Sequence, residues 1–221
     1  MINVAKELFE KKALDIHAKH RSQTIEDIQR LNEKYQSQPA YGKVLLSDLV
    51  QKLQLVIDPT DKKLYQMNQW GHCLQVIHMM ELEKADTEEF VIAALIHDLG
   101  KILLFTGERP ENVVCDNFVV GEYRERVGLD NVLFQWNHDE FGYMRLKDHI
   151  PVHLAKLVRY HSINSVNHKY LSDQDAWLYE NYLRPFSRYD KKSKSLTFMP
   201  ELDVDRYLRL LDKWFPKPIL I

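Results

Sequence analysis

Apolar residues recur along most of this chain with the spacing of helices rather than strands. Ile25, Ile28, Leu31 and Tyr35 mark one face of a helix near the N-terminus. Leu45, Leu49 and Leu53, with Leu46 and Val50 beside them, mark a second. Ile57-Asp58-Pro59-Thr60-Asp61 interrupts the period and predicts a turn. A third helix is expected from about Leu64 to Leu82, with Met67, Leu74 and Ile77 inward and His72 near its middle. Asp86 and Glu89 have the spacing of a variant capping box, opening a fourth helix through Phe90, Ala94 and Leu95. That helix delivers His97-Asp98 at its C-terminal end, and Gly100 reads as its stop signal. Val113-Val114 and Val119-Val120 bracket Cys115-Asp116-Asn117, which predicts a small β excursion over residues 113–120. Further helices carry Val132, Leu133, Trp136 and His138, then Leu154, Leu157, Val158 and His161. The last holds Tyr207, Leu208, Leu211 and Trp214. Only 7 glycines, with no repeat or low-complexity linker, leave no obvious boundary. The pattern predicts a compact all-α bundle forming one domain over residues 1–221.

Composition narrows this without redirecting it. A 45% apolar content supplies a real core, while 28% charged residues and a net charge of −2 give a near-neutral surface. Neither a basic patch for nucleic acid nor an acidic tail stands out. The longest apolar runs, such as Phe90 to Ile96, fall far short of the ~20 residues needed to span a bilayer. Met1 is followed by a mixed charged segment with no apolar signal region. Cys73 and Cys115 are the only cysteines, so no disulfide framework is implied and a reducing cytoplasm is the expected home. A monomer is expected, with no membrane or nucleic-acid partner.

The candidate chemistry lies in His72, His97, Asp98, His138, His161 and Asp190, each in a segment that reads as helix or helix end. Four imidazoles and two carboxylates are too many ligands for one catalytic metal that keeps an open position. Shared between two ions, with one bridging carboxylate, they make a dinuclear site. Neighbouring helical side chains diverge by roughly 100°, so His97 can serve one ion while Asp98 reaches the other. Taken singly, each has a plainer reading: His72 as a core histidine, Asp190 as a surface turn, Asp139-Glu140 beside His138 as a solvated helix face. His149 and His153 have the spacing of a zinc pair, but Pro151 between them places them across a helix start, at the surface. His17, His20, His78 and His168 carry no partner signal.

The surrounding text gathers the six. Ile96-His97-Asp98-Leu99-Gly100-Lys101 resembles the HD-domain metalloprotein superfamily. Gly128-Leu129-Asp130-Asn131-Val132-Leu133, Trp136-Asn137-His138-Asp139-Glu140-Phe141, Arg159-Tyr160-His161-Ser162 and Phe186-Ser187-Arg188-Tyr189-Asp190 resemble segments of the myo-inositol oxygenase family, non-haem diiron enzymes on an HD-type helical bundle. The similarity runs from about Gln23 through Pro216-Lys217-Pro218-Ile219-Leu220. The resemblance implies two iron ions in a mixed-valent diiron centre. His72, His97, Asp98 and Asp190 would hold one; His138 and His161, with Asp98 as bridge, would hold the other and leave room for a chelating substrate. Imidazole and carboxylate without thiolate suit iron, though ligand type alone also admits zinc or manganese. The resemblance further implies a catalytic Lys101 facing the metals, and substrate contacts from Lys101, Asp116, Ser162 and Lys194. Asp58 lies near another family position, one residue out of register with His72. The implied reaction is an O2-dependent, four-electron cleavage of a vicinal diol, myo-inositol to D-glucuronate. The family has a longer N-terminal segment carrying a lid arginine and a longer loop between Gly121 and Gly128, so a pocket that is more open, or shaped for something other than inositol, is expected here. The alternatives are an HD oxygenase acting on an amino-hydroxyphosphonate, an HD phosphohydrolase, and a metal-binding scaffold without turnover.

Overall fold

The computed structural model describes residues 2–61, 67–195 and 197–221. Two N-terminal helices, α1 (Ile2–Arg21) and α2 (Ile25–Ser37), lead into a short strand β1 (Lys43–Val44) and α3 (Leu46–Lys52). The long central helices are α4 (Gln69–Leu82) and α5 (Glu88–Ile96), followed by a 3₁₀ turn (Leu99–Lys101) and α6 (Ile102–Phe105). Strands β2 (Val119–Val120) and β3 (Leu133–Phe134) precede α7 (His138–Leu146) and α8 (Val152–Tyr160). The chain ends with α9 (Asp173–Leu178), a π-helical turn (Tyr179–Leu183), α10 (Arg184–Ser193), α11 (Val204–Trp214) and β4 (Ile219–Leu220). The strands form two small antiparallel ribbons, β1 with β4 and β2 with β3. The architecture is an all-α, HD-type bundle with a minor β component. None of the described helices is long and apolar enough to cross a membrane.

α5 explains the bundle's centre. Val91 to Ile96 are all buried, so this helix has no polar face and must be surrounded by others. α4, α8 and α11 pack around it, and α10 lies across α4. Both ends of α5 are therefore held, and the residues following Ile96 emerge in the interior of the molecule. One continuous core runs from Ile16 to Ile221.

Several expected elements change. α1 was not foreseen; Ala13, Ile16 and His20 bury one side of a segment that otherwise reads as charged. Leu45 caps α3 and is exposed, leaving the buried face to Leu46, Leu49, Val50 and Leu53. The third helix starts at Gln69, where Asn68 Oδ1 accepts from Gly71 N at 2.8 Å. Met67 lies half-buried ahead of it, and Leu64 falls outside the described residues. The cap of α5 is Thr87, whose hydroxyl accepts from Phe90 N, rather than Asp86. Val113-Val114 is buried loop, and the partner of Val119-Val120 is Leu133-Phe134, which the helical reading had misplaced. The helix begins only at His138, because Asn137 caps it by accepting from Asp139 N. Trp136 instead fills the core from a loop, stacked on Tyr35 at 5.0 Å.

Gly100 is not a stop signal. The chain continues through the 3₁₀ turn, and a Cβ at this position would lie 2.7 Å from the His138 carbonyl carbon and 2.8 Å from its Cα. The missing side chain lets the segment after α5 touch the backbone at the start of α7.

Candidate metal centre

The candidate ligands are delivered by five stretches of this bundle, His97 and Asp98 sharing one. His72 sits inside α4, His97 caps the C-terminus of α5, and Asp98 follows it. His138 opens α7, His161 caps α8, and Asp190 lies in α10. The structure brings all six together. Candidate ligand atoms of His72, His97 and Asp98 lie within 4.8 Å of one another, as do those of Asp98, His138 and His161. Asp98 belongs to both groups because its carboxylate is forked between them. Oδ2 lies 3.4 Å from His97 Nε2 and 3.9 Å from His72 Nε2. Oδ1 lies 3.1 Å from His138 Nε2 and 3.4 Å from His161 Nε2. Asp190 Oδ1 approaches His72 Nε2 to 2.9 Å.

Backbone carbonyls orient the rings. Nδ1 of His97 faces Ala94 O at 3.0 Å, that of His138 faces Val113 O at 2.6 Å, and that of His161 faces Val158 O at 2.9 Å. Donation from Nδ1 leaves the Nε2 lone pair directed at the centre, the arrangement that metal-ligating histidines use. Val113 O also accepts the His138 amide at 2.9 Å, which gives the buried Val113-Val114 loop its purpose.

The donor set fits a metal by a further test. His72 Nε2, His97 Nε2 and Asp190 Oδ1 are buried without hydrogen-bond partners among the described residues. His72 Nε2 and Asp190 Oδ1 nonetheless lie 2.9 Å apart, both aimed into the same buried space. Buried polar atoms left this way are costly, and a cation between them removes the cost. Nitrogen and oxygen donors without sulfur suit iron. Both cysteine thiols are pushed up by burial and stay neutral, Cys73 within α4 and Cys115 in the 113–117 loop.

Two lysines flank the ligand carboxylates. Lys101 Nζ lies 2.9 Å from both Asp98 Oδ2 and Asp58 Oδ2 and donates to Gln69 Oε1 at 3.2 Å. Burial opposes its charge, but the Asp98 and Asp58 carboxylates outweigh that and hold the ammonium well above its ordinary range. Asp58 is itself held at about 2: burial pushes its carboxyl up, and Lys101 and the Thr60 hydrogen bonds overcome this. Lys194 is arranged alike, 3.0 Å from Asp61 Oδ2 and 3.6 Å from Asp190 Oδ1. These residues, with Asp116 and Ser162, line a cavity of about 630 Å³ that reaches His97, Asp98, His138 and His161.

Other candidates fall away from the centre. His149 is exposed, and His153 pairs with Glu89 at 3.0 Å. His78 and His168 pack against Phe198 and Tyr179, while His17 lies on the cavity wall. His20, without a partner signal in the sequence, is fully buried between the carbonyls of Glu111 and Asp116 at 2.9 and 3.2 Å. Asp139 is the main residue that sequence reasoning missed. It is fully buried rather than solvated, with Oδ1 3.0 Å from His138 Nε2. Its one signal was adjacency to His138. Asp61 gave none beyond the turn.

Comparison with known proteins places this arrangement. Residues 11–122 and 120–221 match the family model for myo-inositol oxygenase. The chain is 30% identical over 249 residues to the probable inositol oxygenase of Oryza sativa subsp. japonica, covering 89% of this chain and 76% of that protein. It is 28% identical over 240 residues to inositol oxygenase 1 of Arabidopsis thaliana, covering 90% and 76%. It is 26% identical over 239 residues to the inositol oxygenase of Homo sapiens, covering 89% and 82%. A helical bundle that gathers these histidines and aspartates, on a sequence matched almost from end to end, is thus an oxygenase belonging to the myo-inositol oxygenase family.

Proposed function

We propose that the chain acts as a single unit, a non-haem diiron oxygenase that cleaves a cyclic vicinal diol with O2, with myo-inositol as substrate and D-glucuronate as product. The forked carboxylate of Asp98, with two imidazoles at each oxygen, is the observation that carries this reading. The proposed ligands are His72, His97, Asp98 and Asp190 on one side, and His138 and His161 with Asp98 on the other. Two iron ions held there would supply O2 activation and Lewis acidity.

The chain's own groups divide the remaining work. Asp116, Ser162 and Lys194 bind and orient the hydroxyls. Lys101 presents a charged ammonium at Asp98 Oδ2, where it stabilises negative charge on a substrate hydroxyl oxygen as its proton departs. Buried residues around His72 exclude water from that side. The stoichiometry closes without another reductant: C6H12O6 and O2 give C6H10O7 and H2O, the substrate losing four electrons and O2 gaining them.

The test is O2 uptake by protein reconstituted anaerobically with iron, against a panel of cyclitols and amino-hydroxyphosphonates. One O2 consumed per myo-inositol, with D-glucuronate formed, is expected. Turnover confined to phosphonates sinks the substrate assignment. Magnesium-dependent, O2-independent phosphate release sinks the whole reading.

A further inference from the structure

Asp139 is fully buried and is not on the cavity wall, yet it hydrogen-bonds Ser162, which is, and Asn117 behind it. Its Oδ2 accepts from Ser162 Oγ at 2.5 Å and from Asn117 Nδ2 at 2.7 Å. Ser162 is pinned by its backbone too, since its carbonyl accepts from Asn117 N at 3.1 Å. The next residue, Ile163, pairs with Asn117 in an isolated parallel bridge. Asn167 Nδ2 closes the arrangement by donating to Asn117 O at 2.8 Å. The serine therefore has little freedom to turn its hydroxyl elsewhere.

A serine hydroxyl carries one proton and two lone pairs. Asp139 Oδ2 accepts from Asn117 Nδ2 as well as from Ser162 Oγ, so the contact between Ser162 and Asp139 consumes the serine's single proton. What Ser162 then presents to the cavity is acceptor capacity alone. We infer that Asp139 is a positioning residue that makes Ser162 an obligate acceptor, so that the cavity selects a ligand offering a hydroxyl donor at that point. This rests on the polyol reading above and adds the polarity of one subsite to it. A ligand with a carbonyl or another acceptor there would set two acceptors against each other, leaving a buried polar atom unpaired.

Anaerobic calorimetry on the iron-loaded protein tests this with myo-inositol and a set of its mono-keto and monofluoro analogues, each replacing one hydroxyl by an acceptor. In the wild type, one ring position should show about tenfold weaker binding on replacement. In Asp139→Ala, Ser162 regains its proton and the discrimination at that position should fall to about threefold or less. Ser162→Ala should also lose it, and Asp139→Ala should add nothing on that background. Asp139→Asn keeps an oxygen able to accept from Ser162 and Asn117, so it should restore the wild-type preference. Metal content, measured on each variant, separates this role from support of His138. Undiminished discrimination in Asp139→Ala overturns the inference while leaving the polyol reading intact. If Asp139→Ala does not fold, undiminished discrimination in Ser162→Ala overturns it equally. Failure of the wild type to bind any cyclitol overturns both.

Discussion

The two halves of the metal centre are built from different materials. His72, His97 and Asp190 form one side, where the two histidines are 0% and 1% exposed and His72 is set back from the cavity wall. Their carboxylate neighbours are balanced by Lys101 and Lys194, each tied in turn to an aspartate of the 57–61 turn. His138 and His161 lie toward the cavity, with His161 reaching 9% exposure. This half is oriented by the carbonyls of Val113 and Val158, with Asp139 Oδ1 3.0 Å from His138 Nε2. The inner half is an enclosed array of opposed charges, costly to assemble and to disturb. The outer half is a pair of imidazoles beside open volume, with Asp98 and Asp139 as their carboxylate neighbours. A metal is best held by the first, and an incoming ligand best received by the second.

The sharpest way to break this comparison is through the residue both halves share. Asp98→Ala should abolish turnover and reduce metal content from about two ions per chain to a small fraction of one. Elemental analysis showing one half still filled would mean that Asp98 is not a bridge. Lys101→Ala should leave metal content largely intact and reduce kcat by about 10²–10³. Metal loss in proportion to activity would make the lysine a structural counter-ion only. Comparing His72→Ala with His161→Ala tests the asymmetry directly. Each should lose about one ion, but His72→Ala should lower Tm more, because its site is enclosed by the core. Equal Tm losses would remove the distinction between an anchoring half and a receiving half.

A smaller effect is expected where the outer half is supported. Glu108 accepts hydrogen bonds from Lys34 and Tyr35 at 2.5 Å each and from Asn112 at 2.9 Å, fastening α2 to the segment before Val113. Burial pushes its carboxyl up, but these donors prevail and hold it at about 2. A carboxyl depressed in the folded state adds stability above its unfolded value near 4.5, and that stability disappears as pH falls toward 2. Glu108→Gln should therefore cost on the order of 1–2 kcal/mol at pH 7 after solvent screening is allowed for. The gap from wild type should close below about pH 3. Denaturant unfolding at both pH values checks it, and a gap independent of pH would contradict it. The least effect belongs to His149→Ala and His153→Ala, which should leave metal content unchanged.

Legibility in the sequence followed the same division. The candidate ligands were readable because each stands in a distinctive local text, such as His97-Asp98 after an apolar helix or His138 after Trp136-Asn137. Long periodic helices such as α2 and α11 were also readable, since burial on one face imprints a period. Asp58 was legible only as a family position one residue out of register, and Asp61 and Asp139 were not legible, because their roles come from partners distant in the chain: Lys101, Lys194 and Ser162. A turn aspartate has the same composition whether it faces water or a buried ammonium. Strand β3 was missed because two paired residues leave too short a pattern to oppose the apolar run around them.

Gly100 gives the two halves a common mechanical datum. Its backbone rests against that of His138, so Asp98 and His138 are connected by a rigid joint with no side chain in it. The spacing between the two groups of candidate ligand atoms is then set by main chain against main chain. Adding a single methyl group at Gly100 would act as a shim, moving the outer histidines away from the bridge while leaving every ligand present.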